Sequence, residues 1–449
     1  MPGRSARRAL FGLLTLVLTI ALVECLSFVG SWLVSGRRFS WEAHQARRES
    51  LAGLDAGVEQ EDRTPADRTG DPSEQGEFVI HPFLGYVTDP RSRAGVSDFG
   101  FRGDLPDAPL GVPAEGQVVV GLFGGSVAAR TSGRAQRILR EGIQQVPRYR
   151  GTKCVIHTMA WAGYKQPQQL MVLAYFLALG ARFDLVVNLD GFNEVAMPTA
   201  DNLPQGVYPF YPRNWYGLVH DTPDRDTLVE IARIEEVRER RRGWARFFSA
   251  PLLRLSVATN LVWELGDDRL ERRIAALQLG LQRRQAQCRE ALPYRVTGPR
   301  FEAASEDAAY HEMSRVWARS SLAMAQLCAA NGIEYFQFLQ PNQYVPGSKP
   351  MTRGEQRVAL LDDHPYRKGV EAGYPHLRRE GEKLRDRGVR FEDLTMVFAT
   401  VEQPLYSDTC CHLNQEGYEL LAEAMVASIQ KELGTSPGGE TRPRSSPME

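Results

Sequence analysis

Apolar positions fall into two regimes along this chain. From Ala9 to Ser35 they form an almost unbroken run, and at 1.5 Å per residue a helix of that length spans roughly 40 Å, enough to cross a bilayer with tilt. The expectation is a short flank at residues 1–8 and one transmembrane anchor at 9–36. The run is longer than the apolar region of a secretory leader and no small-x-small site closes it, which favours a retained anchor over a cleaved signal peptide. Arg4, Arg7 and Arg8 precede it while Arg37 and Arg38 follow at once, so charge asymmetry pulls only weakly toward a cytoplasmic N-terminus. A carboxylate is costly inside such a helix; Glu24 calls for a partner helix or a proton.

After the anchor the pattern changes. Residues 37–77 are rich in Asp, Glu, Arg, Pro, Gly and Ser, as are 434–449, and such composition cannot bury enough surface to fold. They read as a polar tether and a disordered tail, leaving 78–433 as the folded domain. Within it, Gln117–Phe123, Lys153–Met159, Asp184–Asp190, Glu334–Leu339 and Val389–Leu394 are short apolar runs between turn residues, the mark of buried strands. Helical periodicity separates them, over Arg134–Gln145, Gln166–Leu179 and His311–Ala330, and continues over Asn414–Leu433. Alternation of this kind predicts an α/β fold, a parallel sheet with right-handed crossovers in three layers of flavodoxin-like order. Between about 226 and 289 the alternation stops. That segment is Arg-rich with Leu270, Ile274, Leu277 and Leu281 at helix spacing, and is expected as a helical insertion packed on the core, a lid or docking arm being the rival. The basic cluster Arg238–Arg242 reads as a solvated face.

Charge narrows the partners. The chain has 54 basic and 55 acidic side chains among 449 residues, so no field of one sign draws it to nucleic acid. Of the cysteines, Cys25 lies in the anchor, and Cys154, Cys288, Cys328, Cys410 and Cys411 remain for the domain. None has zinc-site spacing. Neighbouring cysteines rarely meet disulfide geometry, so Cys410 or Cys411 is expected to bridge to Cys154, Cys288 or Cys328 if the domain is exported.

Candidate chemistry gathers after the strands. The first ends in Gly124-Gly125-Ser126, and two glycines permit a tight strand-to-helix turn that exposes the serine at the carboxyl edge of the sheet. A dinucleotide-binding turn needs G-x-G-x-x-G, which this is not. An α/β-hydrolase elbow needs G-x-S-x-G and a split Asp/His pair, and here Asp408 and His412 share one loop. The second strand is followed by Trp161-Ala162-Gly163-Tyr164 and the third by Asp190-Gly191-Phe192-Asn193-Glu194, sources of a backbone and an amide donor for an oxyanion. His157, His364 and His376 are rival bases, and Trp161, Tyr164, Phe192 and Tyr344 are candidate pocket walls.

In this order the four segments resemble the sequence blocks of the SGNH (GDSL-like) hydrolase family. The likeness runs from about His81 to Ala427, including Gly85-Tyr86 and Phe99-Gly100-Phe101-Arg102-Gly103, which look like the lead-in of bacterial exported members. It implies Ser126 as nucleophile, His412 as base, Asp408 as its orienting acid, and an oxyanion hole from the Ser126 and Gly163 N–H groups and the Asn193 amide, without metal or organic cofactor. Two departures stand out: Gly125 replaces the acid of G-D-S, and Asp408 is one residue farther from the histidine than usual. The implied activity is ester hydrolysis by a membrane-anchored periplasmic or extracellular enzyme on a small-molecule or carbohydrate ester. O-acyl transfer to an envelope or exported polysaccharide is the alternative, and an inactive carbohydrate-binding or scaffold protein a third.

Overall fold

A computed structural model describes residues 4–36, 39–52, 78–92, 96–101, 116–219, 225–287, 292 and 294–434. Outside them lie most of the tether (53–77), the tail from 435, Arg102-Gly103 and Cys288. Helix α1 (Arg4–Ser35) contains one apolar stretch, Phe11–Val34, long enough to cross a membrane. It is followed by α2 (Trp41–Ala52), so the beginning of the expected tether is helical. Strands β1 (Phe78–His81) and β2 (Gly85–Thr88) pair antiparallel. The rest runs β3 (Gln117–Gly124), α3 (Ser126–Arg134), α4 (Gln136–Gln144), β4 (Lys153–Ala160), α5 (Gln168–Ala178), β5 (Leu185–Asp190), α6 (Phe192–Met197), α7 (Trp215–Val219), α8 (Arg225–Phe248), α9 (Val257–Gln287), α10 (Tyr294–Thr297), α11 (Glu306–Ala330), β6 (Glu334–Leu339), α12 (Arg353–Ala359), α13 (Pro365–Asp386), β7 (Arg390–Asp393) and α14 (Gln415–Gly434).

All five expected strands form one parallel sheet in the order β4-β3-β5-β6-β7. Their registers bring Gly124 level with Ala160 and Leu189, and Asp190 level with Leu339. The chain steps from β3 to β4 on one side and then crosses back past β3 to β5 on the other, so the ends of β3 and β5 border a topological switch point, where open α/β sheets place ligands. Helices α3, α4 and α14 pack together, as do α5, α11 and α13. Strands β3 to β6 are buried almost throughout, as expected of parallel strands covered on both faces.

The helix expected over Arg134–Gln145 is present as α4 (Gln136–Gln144), with Ala135 at φ −118° and ψ 22° separating it from α3. Two elements depart from the sequence pattern. Helix α11 starts five residues early, where Ser305 accepts from the Ala308 N–H and caps it. Helix α13 had been hidden by its composition: His364 is its N-cap, Pro365 its first residue, and Pro375 lies inside. The 226–289 segment is a helical hairpin, α8 and α9. Its inner face holds Ile234, Val237, Ile274 and Leu281, with Leu270 and Leu277 beside them, in a small core separate from the main one. It therefore packs on itself and on α1 and α2 rather than chiefly on the sheet. In the basic cluster, Arg238, Arg240 and Arg242 pair with surface glutamates, but Arg241 turns inward to Asp267.

Candidate active site

Ser126 is the first residue of α3, and the turn before it demands its glycines. Gly124 sits at φ +139°, and a Cβ there would collide with the Leu189 carbonyl oxygen. At Gly125 a Cβ would run into Nδ2 of Asn193. Gly125 is thus what lets the Asn193 amide lie against the Ser126 turn. Ser126 has 1% of its surface exposed and His412 none.

His412 Nε2 lies 2.8 Å from Ser126 Oγ, and its Nδ1 is hydrogen-bonded to Asp408 Oδ2. The longer spacing is accommodated because the loop winds around the carboxylate: Asp408 Oδ1 accepts the N–H groups of Cys410 (2.9 Å), Cys411 (3.1 Å) and His412 (3.2 Å). Burial would push the Asp408 carboxyl up, but the His412 ring, Arg130 and these N–H donors hold it well below the usual carboxylate range. For His412, burial and the Arg130 guanidinium disfavour charge; Asp408 and Cys411 outweigh them and raise the imidazole to about 9.

Neighbouring segments fix this loop from outside. The turn after β6 binds three successive carbonyls of it: Gln343 donates to Asp408 O (3.0 Å), Tyr344 Oη to Thr409 O (2.9 Å) and Asn342 to Cys410 O (3.1 Å). Glu355 of α12 accepts the Leu405 (2.6 Å) and Tyr406 (2.9 Å) N–H groups and is paired with Lys349.

On the facing side, Asn193 donates through Nδ2 to Tyr164 O at 2.7 Å, and an amide NH₂ retains a second proton for another acceptor. A buried acidic pair anchors the Asn193 turn. Glu194 accepts the Gln166 (2.9 Å) and Gly191 (2.8 Å) N–H groups. Asp190 accepts from Trp317 (2.7 Å), Gln337 (2.7 Å) and Asn188 (2.8 Å). Burial raises both acids, Asp190 to about 6 and Glu194 to about 8. Gly163 adopts φ +77°, and a Cβ on it would press on the Arg213 side chain and Tyr86 Oη. Tyr86 Oη donates to Ala162 O at 2.5 Å and Tyr164 Oη to Tyr86 O at 2.6 Å, so β2 closes over the Gly163 turn. Ser126, Gly163, Asn193, Asp408 and His412 all belong to segments leaving one sheet edge or, for the last two, to the loop before α14.

The rival histidines stand elsewhere. His157 lies mid-strand opposite Gly121, His376 pairs with Asp307 and Arg379, and His364 caps α13, its imidazole lowered to about 4 by burial. The four aromatics expected as pocket walls are core residues instead: Trp161 donates to Gly100 O at 2.8 Å, Phe192 meets Tyr366 edge-on, and Tyr344 braces the Asp408–His412 loop. Two arginines went unnoticed in the sequence. Arg130, one turn after Ser126 on α3, was within reach of periodicity; Arg213, buried against Gly163 and bonded to Asp201 (2.9 Å) and Tyr366 (3.1 Å), sits in a loop without pattern.

Cys410 and Cys411 face each other with sulfurs 3.4 Å apart and bridge neither Cys154 nor Cys328, while Cys288, the third expected partner, lies outside the described residues. Two groups of metal-ligand type occur among the described residues: Cys410, Cys411 and His412, and Asp267, Asp268 and Glu271. Both His412 ring nitrogens are engaged by Ser126 and Asp408, and Arg47 and Arg241 occupy the acidic trio, so neither group suits an ion. The sequence matches no family model and no curated protein.

Proposed function

We propose that this chain is a membrane-anchored serine esterase of the SGNH type, its catalytic domain outside the cytoplasm. The observation that carries the reading is the unbroken line from Asp408 through His412 to Ser126 Oγ. Ser126 Oγ attacks the ester carbonyl as His412 Nε2 takes its proton. The tetrahedral oxyanion is received by the N–H groups of Ser126 and Gly163 and the second proton of Asn193 Nδ2, donors worth about 3 kcal/mol each where deleted in other enzymes. Collapse breaks the ester C–O bond, and His412 returns its proton to the departing alcohol. Water, activated by the same ring, then frees the acyl group from Ser126. Asp408 keeps the ring oriented and stabilises its charged form. In this reading the sheet order is the flavodoxin-like one of the family and the α8–α9 hairpin is an insertion into it.

A second reading, acyl transfer to a sugar hydroxyl, is favoured by the near-complete burial of Ser126 and His412: an acceptor that fills the site displaces water that would otherwise hydrolyse the intermediate. Both readings require a seryl-acyl enzyme. The full chain is therefore treated with an organophosphonate and, separately, with short-chain aryl esters with and without a polysaccharide acceptor. Adduct mapping is expected to find Ser126 alone, and Ser126→Ala to abolish turnover. Acyl groups appearing on the polysaccharide select transfer over hydrolysis. Folded protein that takes no label and turns over no ester leaves a binding or scaffold role.

A further inference from the structure

Glu24 lies ten residues before the end of the Phe11–Val34 stretch, roughly 15 Å along the helix axis. Its carboxylate is not alone there. Ser256 Oγ donates to Glu24 Oε1, and the Val257 N–H donates to Oε2 at 2.6 Å. The acid is thus a cap for the N-terminus of α9, where the unpaired amides and the helix dipole favour negative charge. Further along, a Cβ on Gly30 would stand 2.9 Å from Leu261 Cδ2, and the Trp41 indole donates to Leu255 O at 3.2 Å. The turn between α8 and α9 therefore lies beside α1 at the level of Glu24, below the end of the apolar stretch. Its outward side chains suit that depth: Phe247 is 62% exposed, Leu252 85%, Leu255 67% and Val262 52%. Arg254 is exposed among them, and its aliphatic stem can lie along apolar surface while the guanidinium turns toward the interface.

We propose that the tip of the α8–α9 hairpin, Phe247 to Val262, is a second membrane contact that inserts into the same bilayer leaflet as the outer part of α1, its occupant being phospholipid acyl chains. The proposal rests on α1 crossing a membrane, since residues hydrogen-bonded to Glu24 share its depth. Continuity with α1 distinguishes lipid from other occupants of the patch: a soluble partner would have to enter the apolar slab to reach Leu252. Insertion gives the domain two points of attachment and so a fixed orientation over the bilayer.

The test uses the full chain in phosphatidylethanolamine–phosphatidylglycerol vesicles doped with a phospholipid carrying a diazirine midway along one acyl chain. After irradiation, adducts are mapped by mass spectrometry. Adducts are expected on Phe11–Val34 and on peptides containing Phe247, Leu252 and Leu255, with none on Met171 or Leu179, exposed apolar residues of the catalytic domain. In the double variant Leu252→Asp/Leu255→Asp, tip adducts should fall about tenfold or more while those on α1 persist and the melting curve is unchanged. Adducts on α1 without any on the tip overturn this proposal and leave the anchor standing. Adducts on neither overturn both. Crosslinks joining the tip to a second copy in place of lipid also overturn it.

Discussion

Asp408 is four residues from His412, one more than in the SGNH pattern the sequence resembles, and the loop accommodates that spacing: three loop N–H groups converge on one carboxylate oxygen and free the other for the ring. Removing the charge should then matter. Asp408→Asn is expected to slow turnover about 10³–10⁴-fold with the fold intact, the scale seen when the equivalent acid of other serine enzymes is made an amide. The pH dependence follows from the same contact. His412 must be neutral to accept the Ser126 proton, and its imidazole is raised to about 9, so kcat/KM should climb as pH rises through about 9 rather than through the ordinary histidine value near 6.5. In Asp408→Asn that limb should move down. Stability runs the other way: the charged ring's contribution is fully present below about 6.5 and lost as pH rises through about 9. A limb near 6.5 in the parent, or near-parental turnover in the variant, would remove Asp408 from the proposed triad. At this scale Ser126 and Asn193 could be picked out just after strands and His412 just before the last helix, and the structure brings Ser126 Oγ and His412 Nε2 to 2.8 Å. Arg213 escaped because nothing in its loop marks an arginine whose aliphatic stem lies against Gly163 while its guanidinium reaches Asp201 and Tyr366.

Elements were legible in proportion to the simplicity of their burial. The four strands β3 to β6 are buried almost throughout, while β7, Arg-Phe-Glu-Asp, buries only Phe391, yet all five could be bounded within one or two residues. Helix α13 reads as loop because Gly369, Gly373 and Gly381 weaken helical propensity, yet those glycines are its packing surface. A Cβ at Gly369 would stand 2.7 Å from Ala196 Cα, and at Gly373 or Gly381 would enter the Val195 or Phe391 side chain. The helix thereby approaches α6, which carries Asn193, more closely than any side chain would permit. The turn after β6 offers no periodic signal either, though it holds the catalytic loop by three carbonyls. Asn342 is central to it, accepting the Tyr344 N–H at 2.9 Å while donating to Cys410 O. Asn342→Ala should cost roughly 1–3 kcal/mol for the two bonds and lower kcat about tenfold or more by loosening the His412 loop. Because the residue touches no substrate, KM should barely move. A fall in KM-linked binding with kcat preserved would show that the turn serves substrate and not the base.

Across the whole molecule, the apolar helix α1 and the candidate site are joined by continuous structure. The last residue after α1, Gly36, lies against Thr352 and Gly354, with a built Cβ at 3.6 Å from both, at the entrance of α12, whose Glu355 holds the segment leading into the catalytic loop. Helix α9 runs from Glu24 at one end to Gln282 at the other, where it donates to Asp201 (3.4 Å), the partner of Arg213. The joint that secures this arrangement is a buried charge cluster. Asp267 is fully buried between Arg47 of α2, at 2.6 Å, and Arg241 of α8, at 2.6 Å, and Arg48 donates to Asn260 while stacking over Trp263. Periodicity could place the hairpin's apolar face but not this cluster, since Arg241 looks like any other member of a solvated basic run. Removing Asp267 takes away the most buried of the three acids and leaves Arg47 and Arg241 sharing Glu271, with Asp268 beside Arg47, so the cost should approach but not exceed the about 3–5 kcal/mol of a broken buried pair. The loss falls on the junction of α2, α8 and α9 rather than on the sheet. Asp267→Ala should therefore expose α8 and α9 to limited proteolysis while esterase turnover per intact site is retained, and Asp267→Asn, which keeps hydrogen bonds without charge, should fall between. If Asp267→Ala leaves the cleavage pattern of the hairpin unchanged, the cluster is not what docks it; if turnover collapses together with the hairpin, the main core does not hold the site independently of it.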